Sequence, residues 1–94
     1  MIKSFKDAHA KAIFEQRNPG KGFPADLVRS ARRKLIMLDS AKALNDLRVV
    51  PSNHLEALKG DRAGQHSIRI NDQYRLCFMW TGSDAEKVEI TDYH

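Results

Sequence analysis

The 94-residue chain carries a single cysteine, Cys77. An internal disulfide is excluded, and so is a cysteine-based metal site. Its neighbours Leu76 and Phe78 place it in an expected strand, where a buried, inert thiol is the ordinary reading and a nucleophile the unusual one. No apolar run approaches the length of a membrane span. The opening Met1-Ile2-Lys3-Ser4-Phe5-Lys6 lacks the apolar stretch of a signal peptide, so a cytoplasmic location is expected. His9, His54, His66 and His94 show no ligand spacing such as H-x-x-x-H, and no metal or other cofactor is expected. No G-x-S-x-G motif is present, which leaves nucleophilic hydrolysis without support. Aromatic residues are few, and none form a stacking motif of the RRM kind. Repeats, low-complexity tracts and linkers are absent, so residues 1–94 are expected to form one domain.

Positive charge is in surplus. Sixteen Lys and Arg face twelve Asp and Glu, for a net charge of +4. That balance is compatible with a polyanionic partner, though many basic domains share it.

The first half reads as helical. Ile2 to Phe5 has the character of a short strand. Asp7 can cap a helix running to about Arg17, with Ala8, Ala12 and Phe14 on its apolar side. Asn18-Pro19-Gly20-Lys21-Gly22 breaks it. Pro24 and Asp26 suit the first turn of a second helix, in which Leu27, Ala31, Leu35 and Leu38 recur as a buried stripe. Arg29, Arg32, Arg33 and Lys34 decorate its remainder, either as a solvated face or as a contact for a partner or RNA. Asp39 or Ser40 can cap a short third helix ending near Leu47.

The second half reads as strands. His54 to Leu58 is extended, Lys59 to Gly64 a glycine-containing loop, and strands follow over residues 65–70, 74–80 and 87–93. Helices followed by an antiparallel sheet indicate an α+β fold with helices on one face. Parity sets the hairpin. Ile68 and Ile70 must share a face with Tyr74, Leu76, Phe78 and Trp80, so the loop holds an odd number of residues. The loop Asn71-Asp72-Gln73 satisfies this and sets Ile68 opposite Leu76. The same register sets Arg69 opposite Arg75. Like charges there repel, so an anion is expected between them: a carboxylate, or in a functional setting a phosphate.

At this point the sequence acquires a resemblance. Leu55-Glu56-Ala57-Leu58-Lys59-Gly60-Asp61-Arg62-Ala63-Gly64 is similar to the L-x-x-L-K-G-D-R-x-G stretch of HigB-type toxins of the RelE/ParE superfamily. Ser67-Ile68-Arg69-Ile70-Asn71 and Tyr74-Arg75-Leu76-x-Phe78 continue the pattern, and Asp92-Tyr93-His94 resembles the family's D-Y-H ending. The opening Ile2-Lys3-Ser4-Phe5 also matches, so the resemblance spans essentially the whole chain. It implies a small antiparallel sheet packed on N-terminal helices. It implies a toxin of a type II toxin–antitoxin system that cuts mRNA in the A site of a translating 70S ribosome, without metal, and stops growth. It further implies a HigA-like antitoxin with a helix-turn-helix domain, and operator DNA reached only through the antitoxin complex.

The family's catalytic positions fall on Lys59, Asp92, Tyr93 and His94, with Arg75 beside them. Arg69, Arg62, His66, Glu56 and Arg33 are the expected RNA contacts. Two positions depart from the pattern. Many relatives have a histidine where Glu56 stands, and His54 lies two residues earlier, a shift that keeps strand parity. His66 stands where relatives commonly carry a bulky aromatic.

Metal-free RNA cleavage uses the 2′-hydroxyl as nucleophile. It needs a base, an acid for the leaving 5′ oxygen and cations for the phosphorane charge. His94 can serve as acid or base, Asp92 as base or as the group orienting His94, and Tyr93 can stack on a base or donate to phosphate. Lys59, Arg69 and Arg75 can hold the phosphate. Two alternatives share the fold: a ParE-like poison of DNA gyrase, and a non-enzymatic module that binds RNA or antitoxin. The Asp92-Tyr93-His94 ending favours the RNase.

Overall fold

A computed structural model describes residues 1–92; the expected site residues Tyr93 and His94 lie outside the described residues. Helix α1 spans Ala8–Phe14. Asp7 caps it by accepting a hydrogen bond from the His9 amide at 2.9 Å. The helix stops three residues short of Arg17, because Gln16 adopts a left-handed conformation with φ 61°. Ala10, Ala12 and Ile13 are its buried residues. Ala8, expected on the apolar side, is exposed, while Phe14 packs on the Phe5 ring at 5.9 Å.

A single 3-10 turn over Ala25–Leu27 leads into α2, Val28–Ser40. The expected stripe is the one that packs: Leu27 is 4% exposed, and Ala31, Leu35 and Leu38 are fully buried. The third helix differs from expectation. Helix α2 runs through Ser40, and Asp39 accepts the Ile2 amide at 2.8 Å instead of capping. Helix α3 is Leu44–Arg48, and Asp46 inside it accepts the amides of Lys42 and Ala43.

The sheet is antiparallel, in the order β1-β2-β3-β4. Strand β1 is Glu56–Ala57, β2 Gln65–Arg69, β3 Arg75–Trp80 and β4 Ala85–Thr91. Ile68 pairs with Leu76 and Arg69 with Arg75, as parity required. The residues near the start of the chain do not form a strand. They make two isolated parallel bridges to β4, Ile2 with Ala85 and Phe5 with Val88, and so cover its outer edge. A bulge in β4 opposite Phe78, with Lys87 at φ 52°, shifts its register between Cys77 and Met79.

Ile68, Leu76, Phe78 and Val88 from the sheet meet Ile13, Leu35, Leu38 and Leu47 from the helices in one buried cluster. Alternation then turns Ser67, Arg69, Arg75 and Cys77 to the face without helices. That exposed face is where the charged residues of the second half collect.

Candidate active site

Among the described residues, His54, Glu56, Arg69, Asp72 and Arg75 line an open cleft of about 540 Å³. Each arrives from a different segment. Glu56 is on β1, Arg69 on β2, Arg75 on β3, and Asp72 in the hairpin loop between the last two. His54 comes from the turn ahead of β1. The fourth strand contributes at the same end of the sheet. Thr91, the last residue of β4, pairs with Arg75, and Asp92 accepts a hydrogen bond from Gln73 of the hairpin loop at 2.8 Å.

The arginine pair is accommodated locally. Arg69 forms an ion pair with Asp72, three residues on. Arg75 donates to the carbonyls of Asn71 at 2.6 Å and Tyr74 at 3.2 Å. A carboxylate therefore reaches Arg69 but does not bridge the pair, and sequence reasoning did not single it out. An acid at i+3 from Arg69, inside a three-residue loop, was the available signal.

His54 reaches the cleft by a route other than strand parity. A two-residue slide along a strand would preserve its side, but His54 is not in a strand. It follows a 3-10 turn, Pro51–Asn53, and has left-handed dihedrals of φ 45° and ψ 51°. That turn carries it to the cleft. Asn53 anchors the turn. It is fully buried, accepts from the Lys34 ammonium at 2.6 Å and donates to the Leu47 carbonyl at 3.0 Å. Lys34 is itself only 8% exposed, and not part of a solvated face. Burial, then the charges of Arg33 and Arg69, push its pKa down from the ordinary lysine value.

The remaining expected residues are dispersed. Lys59 is exposed at the start of the tight turn Gly60–Arg62, and its carbonyl accepts the Arg62 amide at 3.2 Å. Arg62 is held by Glu89 at 2.7 Å and by Gln65 at 3.1 Å. Its side chain crosses β2 and β3 to reach β4, over the row Ser67 and Cys77, both essentially inaccessible. Burial pushes the Cys77 thiol up to about 11, consistent with the inert reading. His66 faces the other way. Its ring stacks on buried Phe78 at 6.3 Å, and its Nδ1 is buried without a partner. The structure does not bring His66 to the cleft. Arg33 is exposed on α2 and does not line the cleft either. Among the described residues no group of three or more His, Cys, Asp or Glu could hold a metal ion. Among the described residues no helix is long and apolar enough to cross a membrane.

Comparison with known proteins places the chain in a family. The profile of the HigB-like toxins, described as RelE-like toxins of the type II toxin–antitoxin system HigB, matches residues 3–94. Toxin HigB-1 of Vibrio cholerae is 40% identical over 85 residues, covering 90% of each chain. Endoribonuclease HigB of Proteus vulgaris is 36% identical over 95 aligned positions, covering the whole of both chains. A solved structure, a YoeB/ParE toxin from Agrobacterium tumefaciens, superimposes with a TM-score of 0.52 at 16% identity, over 99% of this chain and all of that one. That last likeness concerns the fold, an antiparallel sheet with helices on one face. The chain belongs to the HigB-like toxin family of type II toxin–antitoxin systems.

Proposed function

We propose that this chain is the toxin of its pair and a ribosome-dependent endoribonuclease, cutting mRNA in the ribosomal A site, and that a HigA-like helix-turn-helix antitoxin holds it in check. The observation that carries the reading is the convergence of Arg69, Arg75, Glu56 and His54 in one open cleft, at the end of the sheet where β4 leads into Asp92. The name Endoribonuclease HigB, borne by the relative in Proteus vulgaris, supports it.

In this reading the 2′-hydroxyl attacks the adjacent phosphorus. Its proton passes to a carboxylate, Glu56 or Asp92, and the departing 5′ oxygen takes a proton from His94. The upstream fragment is left with a 2′,3′-cyclic phosphate and the downstream fragment with a free 5′-hydroxyl. Arg69 and Arg75 neutralise the charge gathering on the phosphorane, where fixed donors act most strongly. Tyr93 stacks on a neighbouring base, and Lys59 approaches the phosphate from its exposed turn. Arg62 contributes through the Arg62–Glu89 pair, which fixes the loop carrying Lys59. Arg33 and His66 are left for contacts outside the cleft. Operator DNA is met only through the antitoxin complex.

The test is mRNA cleavage in a reconstituted bacterial translation system, with wild type, His94→Ala and Asp92→Asn. Cuts inside translated codons that vanish without ribosomes, and drop at least about 100-fold in each variant, are expected. Growth arrest with intact mRNA would sink the reading and put gyrase poisoning in its place.

A further inference from the structure

His54 has no assigned part in the reaction just described. It is a histidine in a left-handed backbone conformation, which is strained for a residue other than glycine. The surroundings hold it there. Asn53, immediately before it, is fully buried and hydrogen-bonded to Lys34 and Leu47, and the His54 amide donates to the Pro51 carbonyl at 3.2 Å. Yet the imidazole itself is exposed and makes no hydrogen bond or ion pair among the described residues. A strained, firmly anchored backbone thus presents an unengaged, titratable ring to the cleft.

The charge around that ring makes its protonation consequential. Glu56 of β1 and Asp72 of the hairpin loop oppose Arg69 of β2 and Arg75 of β3. Behind the turn, Lys34 of α2 reaches Asn53. Among the described lining residues two arginines and two carboxylates cancel, so that set is formally neutral with a neutral imidazole and carries one positive charge with an imidazolium. A polyanion meets a different cleft in the two states.

We propose that His54 is a further RNA-binding residue: its imidazolium binds a phosphodiester of the RNA alongside Arg69 and Arg75, and its titration sets how strongly the cleft holds RNA. The assignment rests on the ribonuclease reading for its ligand. It adds a residue to that site and needs no proton transfer by His54. Histidine suits the position because it tolerates left-handed dihedrals better than most residues and changes charge near neutrality. Binding strengthens as pH falls through the imidazole's range, because only the protonated ring is cationic.

The experiment uses the full chain and a 2′-O-methyl oligoribonucleotide, which cannot be cut. Affinity is measured by fluorescence anisotropy at pH 5.5 and pH 8, at several salt concentrations. The variants are His54→Asn, neutral but at ease in the left-handed region, and His54→Arg, cationic throughout. Wild type is expected to bind about three- to tenfold more tightly at the lower pH, with a slope of log affinity against log salt steeper by about 0.7, one more neutralised phosphate on a single strand. His54→Asn should lose most of that difference, and His54→Arg should bind at pH 8 as wild type does at pH 5.5. Loss of binding in His54→Asn that arginine fails to restore would overturn the proposal, as would an unchanged pH profile in His54→Asn. Failure of mRNA cleavage in the translation system is a separate result. It removes the ribonuclease reading while the pH profile of binding still decides the role of His54.

Discussion

Asn53→Ala tests whether the buried polar knot beneath the cleft holds the turn that carries His54. Asn53 is fully buried, and its side chain spans two elements: it accepts from Lys34 of α2 at 2.6 Å and donates to the last carbonyls of α3 through Leu47 at 3.0 Å. A hydrogen bond from a charged donor contributes about 1.5–3 kcal/mol and a neutral one about 1 kcal/mol. Alanine removes both and leaves an ammonium and a carbonyl buried without their partner. The expected loss is about 3–4 kcal/mol, a large share of the roughly 5–15 kcal/mol available to a domain of this size. In thermal melts followed by circular dichroism that is a fall in Tm of about 15–25 °C. The loss should be non-additive. In Lys34→Met/Asn53→Leu the knot is replaced by apolar side chains, and most of the stability should return, because the cost lies in the orphaned groups. A loss below about 1 kcal/mol in Asn53→Ala would refute the reasoning, since water would then be satisfying the groups that Asn53 leaves.

Other consequences can be measured on the same protein. Arg75→Gln should lower mRNA cleavage at least about tenfold while leaving stability unchanged or raised by up to about 0.5 kcal/mol, because it relieves the cross-strand repulsion with Arg69; a folded-state loss alongside the activity loss contradicts this. Cys77, its thiol pushed from 9.0 up to about 11, should hold about 100-fold less thiolate at pH 8 than an ordinary cysteine and react with iodoacetamide only on unfolding; rapid native alkylation contradicts it. Asp7→Ala should cost about 2–3 kcal/mol by urea titration, since one carboxylate caps α1 through His9 and also accepts the Ile90 amide of β4 at 3.1 Å. Lys34 has its pKa lowered in the folded state, so the unfolded chain binds more protons between that value and 10.5, and stability from this group rises with pH through that window. The stability difference between wild type and Lys34→Met should therefore grow in favour of wild type from pH 8 to pH 10.5; a flat difference means the ammonium is solvated.

Local patterns carried the reading of the fold furthest where their partners were also local. The period of α2 and the parity of the β2–β3 hairpin each needed only neighbouring residues, and both packed as read, down to Arg69 beside Arg75. Misreadings cluster where a distant partner decides. Asp39 looks like a cap until the Ile2 amide, 37 residues away, claims it. Lys34 looks like one more solvated cation on a basic helix until Asn53, 19 residues on, encloses it. Ile2 to Phe5 has strand composition, but its parallel bridges to β4 depend on an edge formed some 83 residues later. The candidate site divides in the same way. Glu56, Arg69 and Arg75 converge because strand register is a local property. His54 converges because a 3-10 turn ends in a left-handed residue, and no periodic pattern announces that.

The placement of the cleft follows from an electrostatic conflict that the fold does not remove. Two arginines face each other across adjacent strands, where repulsion works against pairing. The remedies at hand are partial. Asp72 pairs with Arg69 from an almost fully exposed position, where ion pairs contribute little and salt screens them. Among the described residues Arg75 donates to backbone carbonyls, which are dipoles and not charges. A sheet selected for stability alone would separate these residues or bury a carboxylate between them. Here the conflict stands on the one face that the helices leave open, beside a histidine whose backbone is itself strained. An anion bridging the two arginines would relieve the electrostatic part of that strain and leave the backbone of His54 as it is. In the proposed reading the cleft is therefore costly to the empty protein and complementary to a phosphodiester, which is the condition for binding RNA without first rearranging the site.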